Sequence, residues 1–240
     1  MRSPAGRSST TTKNEPSWLS CHDGAPSPDA MTRPAVRWYF DFVSPYAYLQ
    51  SLRLPQIEEA ADVERVPVLF AGLLSHWGTT GPAEVAPKRT FTLQHICWIA
   101  HTNDVRITLP TTFPFNPLSL LRLAIVKSSE PAVVTRIYDW VWREGHTPDD
   151  IPAFDALLAE LDVDRSMLDD AGVKFSLRAN TETAIAAGVF GVPSTIVGDD
   201  LFWGQDSTEM LLGRLRGDPF FDSAPYKFAP QVAFGAKRRK

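Results

Sequence analysis

Val36–Phe42 is apolar and aromatic and predicts a central strand. Pro45–Ala60 follows with Tyr48, Leu49, Leu52 and Ile57 on one face, the spacing of a helix that Pro55 kinks or divides. Val63–Phe70, β-branched at Val63, Val66 and Val68, predicts a second strand, so the segment reads as a right-handed β-α-β unit. Gly72–Pro87 is rich in Gly, Thr and Pro and reads as a loop. Beyond it the pattern is helical for about a hundred residues. The expected helices are Lys88–Thr102, Asn116–Lys127, Pro131–Arg143, Asp150–Leu161, Arg165–Ala171 and Phe175–Ala187. Ser194–Val197 and Leu201–Trp203 then predict a hairpin across Gly198-Asp199-Asp200, and Thr208–Leu215 a last helix. The order is β-α-β, a helical block, then β-β-α. Periodicity by itself supports an α/β, helix-rich chain.

Composition narrows this reading little. The chain has 240 residues, enough for one large domain or two small ones, and 44% hydrophobic with 22% charged residues is ordinary for a globular protein. A net charge of −4 gives no reason to expect a nucleic-acid partner, and Lys237-Arg238-Arg239-Lys240 reads as a solvated tail. No apolar run approaches the roughly 18 residues of a membrane span. Residues 1–30 are rich in Ser, Thr, Pro, Ala and Gly, without periodicity or a signal-peptide core, so 1–33 is expected to be a disordered extension. Met31 is a candidate start just before the first strand. Of the two cysteines, Cys21 lies in that extension and Cys97 reads as a small buried residue. Neither forms a Cys-x-x-Cys pair, so dithiol chemistry has no local basis.

The candidate chemistry lies in two distant segments. In the first, Ser44-Pro45 ends the strand and starts the helix: Ser44 suits the N-cap, and Pro45 the first helical position, where its missing N–H costs nothing. A polar group there sits at the positive end of a helix dipole, a ready site for an anion or a thiolate. The second is Gly188-Val189-Phe190-Gly191-Val192-Pro193, in which Pro193 stops a helix and is a candidate cis-proline. Together they suggest a thioredoxin-like site with serine where a redox cysteine would stand. As a nucleophile Ser44 would need a base. His76, His95 and His101 are the neighbours on offer, and no Gly-x-Ser-x-Gly elbow is present, which disfavours a Ser-His-Asp hydrolase. Ser44 better suits donation to a thiolate that a ligand brings. Gln205 and Asp206 precede the last helix and either cap it or accept a ligand amine; Trp77 and Trp203 are candidates for an aromatic wall against a flat substrate.

FDFVSPYAYL from Phe40, PVLFAGLL from Pro67, FPFNPLSLLRLA from Phe113, GVFGVPS from Gly188 and FWGQDS from Phe202 resemble the 2-hydroxychromene-2-carboxylate isomerase family, relatives of DsbA and of kappa-class glutathione transferases. The resemblance spans about Val36 to Leu215. It implies a thioredoxin-like fold with a large inserted all-helical domain: 34–75 and 188–220 form the discontinuous thioredoxin-like part, 76–187 the insertion and 221–240 a tail. It implies glutathione as cofactor, with the catalytic Ser44 donating to its thiolate. The backbone at Val192 and Pro193 pairs with its cysteinyl part, and Ser75, Trp203, Gln205 and Asp206 complete the binding set. Two positions depart from the family pattern, Ser75 where asparagine is common and Ser207 where arginine is usual. The implied reaction is thiolate addition to a conjugated aromatic substrate, rotation about the resulting single bond and elimination, a cis–trans isomerisation without net redox. Trp77, Lys88 and Arg89 are the expected contacts to that carboxylate substrate. A homodimer in a reducing cytoplasm is expected, with no metal, nucleic-acid or membrane partner. A kappa-like glutathione transferase and a non-enzymatic thioredoxin-like binding module are the alternatives.

Overall fold

A computed structural model describes residues 33–233 and Gly235; the expectation for the extension lies outside the described residues. Strand β1 (Ala35–Phe40) leads into α1 (Pro45–Ser51), α2 (Leu54–Glu58) and β2 (Asp62–Pro67). Helix α3 (Phe70–Trp77) comes next, then a helical series: α4 (Ala86–Thr102), α5 (Leu118–Val126), α6 (Pro131–Tyr138), α7 (Ile151–Glu160) and α8 (Ala171–Ala186). The chain returns through β3 (Ser194–Val197) and β4 (Asp200–Trp203) to α9 (Thr208–Leu215) and α10 (Ala224–Phe228). The sheet order is β2-β1-β3-β4, with β1 parallel to β2 and antiparallel to β3, and β3 antiparallel to β4. This is a thioredoxin-like fold whose helical insertion enters between β2 and β3.

Strand β1 is central and covered on both faces, which is why it reads as a nearly continuous apolar run. Val36, Trp38 and Phe40 join the larger core with Phe42, Leu120, Tyr138, Trp142 and Phe154. That cluster is continuous from the sheet into the inserted helices. Tyr39 points the other way and packs with Val66, Val68, Leu73, Ala184, Val189 and Val192.

Pro55 divides the first helix into α1 and α2, as the sequence predicts, and stands in the first turn of the second piece. Other boundaries differ from the periodicity reading. Strand β2 ends at Pro67, and α3 occupies part of the segment expected to be loop. Gly72 lies inside α3 because the helix approaches α8 closely: a Cβ there would stand 3.1 Å from Thr181 Cγ2. Helix α8 begins at Ala171 because the Asp170 carboxylate accepts the Gly172 and Val173 N–H groups; Arg165–Asp169 is a separate 3-10 turn. Helix α6 continues as a π turn over Asp139–Arg143. Residues 221–240, expected as a tail, include α10, where the Tyr226 hydroxyl donates to Asp200 Oδ1 at 2.9 Å. Cys97 is half-buried rather than buried.

Candidate functional site

Ser44 is the N-cap of α1, with extended backbone (φ −89°, ψ 112°), and its Oγ accepts the Ala47 N–H at 3.2 Å. Pro45 fills the first turn. The same hydroxyl donates to the Val192 carbonyl at 3.3 Å, across 148 residues of sequence. The two candidate segments therefore meet, and Ser44 and Val192 are each only 7% exposed. The Val192–Pro193 bond is cis, as the sequence predicts, and so is Phe113–Pro114, which it did not. The Val192 N–H donates to no group among the described residues, an orphan donor beside the Ser44 hydroxyl.

Both tryptophans contact the loop that carries Val192. Trp77 Nε1 donates to the Val189 carbonyl at 2.9 Å, and the Trp203 ring meets Phe190 edge-on with centroids 5.0 Å apart. Both indoles stay near half exposed, at 45% and 54%. Gly191 is required by close approach: a Cβ there would stand 2.6 Å from Trp203 Nε1. Gly191→Ala should therefore push the indole outward and lower the melting temperature by about 2–4 °C, the effect of about 1 kcal/mol in a domain this size. A melting scan with an unchanged midpoint would show that Trp203 does not pack on Gly191.

The turn after β4 is held against α1 by a buried amide. Gln50, 1% exposed, accepts from Trp38 Nε1 at 2.8 Å and donates to the Gly204 carbonyl at 3.1 Å and to Thr208 Oγ1 at 3.0 Å. The Gly204 N–H donates to the Pro193 carbonyl at 2.9 Å, joining this turn to the cis-proline loop. Gln205 and Asp206 lie in that turn. Neither caps α9, whose N-cap is Ser207 and makes no side-chain cap bond, and the Asp206 carboxylate is exposed with no ion-pair partner among the described residues. Ser207 turns inward and donates to the Gly204 carbonyl at 2.8 Å.

Ser75 lies on the exposed side of α3, and Lys88 and Arg89 are exposed in the first turn of α4. Among the described residues no hydrogen bond joins these three to Ser44. Helix α4 does reach α1 through another pair: Tyr46 Oη and His95 Nδ1 are 3.0 Å apart. His95 therefore faces Tyr46 rather than Ser44. Burial pushes the Tyr46 phenol up, a Thr92 hydrogen bond opposes this, and the Asp206 charge adds to it, which places Asp206 within electrostatic reach of α1.

Sequence reasoning singled out neither Tyr46 and Phe190 nor Asp41, and it offered His95 only as a possible base beside Ser44. Asp41 is fully buried three residues before Ser44. Its Oδ1 accepts the Val43 N–H at 3.0 Å and its Oδ2 the Phe70 N–H at 2.9 Å. Burial raises its carboxyl to about 7, against the pull of those two bonds. A charged residue inside the apolar run Tyr39–Val43 was the signal available for it. Among the described residues no group of side chains is arranged to hold a metal ion, and no helix is long and apolar enough to cross a membrane.

The model of the DSBA-like thioredoxin domain matches residues 35–216. A 2-hydroxychromene-2-carboxylate isomerase of Sphingobium xenophagum is 28% identical over 73% of this chain and 95% of its own. The glutathione S-transferase kappa 2 of Caenorhabditis elegans is 25% identical, over 67% of this chain and 80% of its own. Among solved structures, that of a 2-hydroxychromene-2-carboxylate isomerase superposes with a TM-score of 0.67 at 24% identity, over 79% of this chain and all of the other.

Proposed function

The chain belongs to the DsbA-like thioredoxin family, and from that premise we propose that it is a glutathione-dependent cis–trans isomerase of an aromatic substrate of the 2-hydroxychromene-2-carboxylate type. The observation that carries this is the serine hydroxyl at the α1 N-terminus, 3.3 Å from the carbonyl of a cis-proline loop. A cysteine in that place would serve disulfide exchange; a serine forms no disulfide, and its hydroxyl suits donation to a sulfur that arrives with a ligand. The residues present suit glutathione. The orphan Val192 N–H and its carbonyl suit an extended peptide, as an added strand would bind. The exposed Asp206 carboxylate, without an ion-pair partner among the described residues, suits a ligand ammonium, with Gln205 beside it. Ser75 is proposed as a hydrogen-bonding neighbour from α3, in the role that asparagine fills in the family.

Glutathione when bound supplies a soft nucleophile whose reversible addition relieves a double bond of its π character. The chain's residues do the rest. Ser44 Oγ–H turns from the Val192 carbonyl toward the sulfur and, with the N-terminal dipole of α1, favours its ionised form. The Trp77 and Trp203 indoles form an apolar wall for a planar substrate. Lys88 and Arg89 supply cationic charge for its carboxylate from the start of α4. No electron is gained or lost overall. A reducing cytoplasm suits a site that lacks a cysteine pair, and the homodimer is carried with this proposal on the resemblance.

Calorimetry and an absorbance assay test the reading together. Glutathione should bind, and interconversion of 2-hydroxychromene-2-carboxylate and its open trans isomer should require it. Isomerisation at full rate without glutathione would refute the cofactor. The kappa transferase relative favours a second reading, transfer of glutathione to an electrophile. A stable glutathione conjugate as product would select that reading, and binding without turnover of either substrate class would select the binding module.

A further inference from the structure

We propose that Asp41 is a positioning residue that locks the Ser44 turn and the start of α3 into one fixed relation, closing a ring of contacts around the site. The ring can be followed atom by atom. Asp41 Oδ1 holds the Val43 N–H and Oδ2 the Phe70 N–H. Phe70 opens α3, and Trp77 closes it by donating to Val189 of the cis-proline loop at 2.9 Å. Val192 of that loop accepts from Ser44 Oγ at 3.3 Å, and the Ser44 N–H returns to the Asp41 carbonyl at 3.0 Å.

The Phe70 N–H has no local partner. Leu69, the N-cap of α3, makes no side-chain cap bond, and its own N–H goes to Thr181 Oγ1 at 3.0 Å. Asp41 thus caps α3 from another element and places negative charge at its positive end. A buried carboxylate without a counter-ion is costly, and no cation is paired with Asp41 among the described residues. An amide would satisfy only one of the two N–H groups, so the second oxygen is what links turn to helix.

The titratable side chain facing the turn is Tyr138 of α6, whose hydroxyl donates to the Asp41 carbonyl at 3.3 Å. Burial, and then the Asp41 charge, hold that phenol well above its usual range. On α1, Tyr46 faces His95 and Tyr48 donates to the Arg106 carbonyl. His76, the titratable residue of α3, is exposed at the far end of the helix. Asp41, its carboxyl raised to about 7 by burial, gains a proton as pH falls through neutrality, and both N–H groups then lose a charged partner. The stability linked to a raised carboxyl is fully present below about pH 4 and is lost as pH rises through about 7.

The functional half of this inference rests on the glutathione reading, so the test has an arm that does not. In the ligand-free full chain, the Val43 and Phe70 amide nitrogens and the Trp77 indole should follow one titration in ¹⁵N spectra, with a midpoint near 7. In Asp41→Asn that titration should vanish. The variant should gain stability relative to wild type as pH rises from about 4 to about 7. Its glutathione affinity at pH 8 should fall at least about tenfold, the worth of one bond to a charged group. Val43 and Phe70 amides that titrate separately or not at all would overturn the proposal, and so would a variant with an unmoved Trp77 indole and unchanged affinity. If the variant fails to fold, the wild-type titration alone decides. Wild-type protein that binds no glutathione refutes the proposed function, and the amide titration still judges Asp41.

Discussion

Ser44→Ala should lower glutathione-dependent isomerisation at neutral pH by about 10- to 100-fold while the chain still folds. The hydroxyl has two bonds, one from the Ala47 N–H and one to the Val192 carbonyl. Its loss as a cap costs about 0.5–2 kcal/mol, which a domain of ordinary stability survives. Its loss as a donor to a thiolate costs about 1–3 kcal/mol, and each 1.4 kcal/mol is a factor of ten. The two roles separate by pH. A cap defect shifts the melting temperature and leaves the pH profile of activity in place. A donor defect moves that profile upward, so activity recovers in part at high pH, where the sulfur ionises unaided. Ser44→Thr keeps the hydroxyl and should recover more activity than Ser44→Ala. Equal rates for wild type and Ser44→Ala across the pH range would reduce Ser44 to a helix cap.

Gln50→Ala should cost about 3–5 kcal/mol of folding stability, a large effect for an uncharged residue. It leaves the Trp38 indole N–H without a partner at a residue that is fully buried, and frees two acceptors, the Gly204 carbonyl and Thr208 Oγ1. Each unsatisfied buried group costs about 1–3 kcal/mol, and the vacated volume adds to it. The lost bonds also join α1 to the turn that carries Gln205 and Asp206, so the damage reaches the site. Urea unfolding followed by two probes measures it. A loss below about 1 kcal/mol would mean that water or a shifted side chain replaces the amide.

The elements whose cause is local were legible in the sequence. Ser44-Pro45 carries its own capping chemistry, β1 its own apolar run, and Val192–Pro193 its stop. Helix α3 was not legible because its causes lie elsewhere: Asp41 caps it from β1's end, and α8 supplies Thr181 against Gly72. Read locally, Gly72 and the glycines after α3 predict a loop. The meeting of Ser44 with Val192 could be expected only through the resemblance, since nothing in either segment specifies the other. Asp41 escaped notice for a similar reason. A lone carboxylate in an apolar run has no value until its two backbone partners are known. Lys88, Arg89 and Ser75 were singled out by type and position, and the fold places them at exposed helix surfaces, with no hydrogen bond to Ser44 among the described residues.

The central claim is that Ser44 stabilises a ligand-borne thiolate, and the ultraviolet absorbance of that thiolate reports it directly. Titrating the glutathione complex of the wild type should give a thiol pKa below the ordinary value of about 8.5. In the Ser44→Ala complex it should return toward that value by about one to two units. Superimposable titration curves for the two complexes would contradict the account.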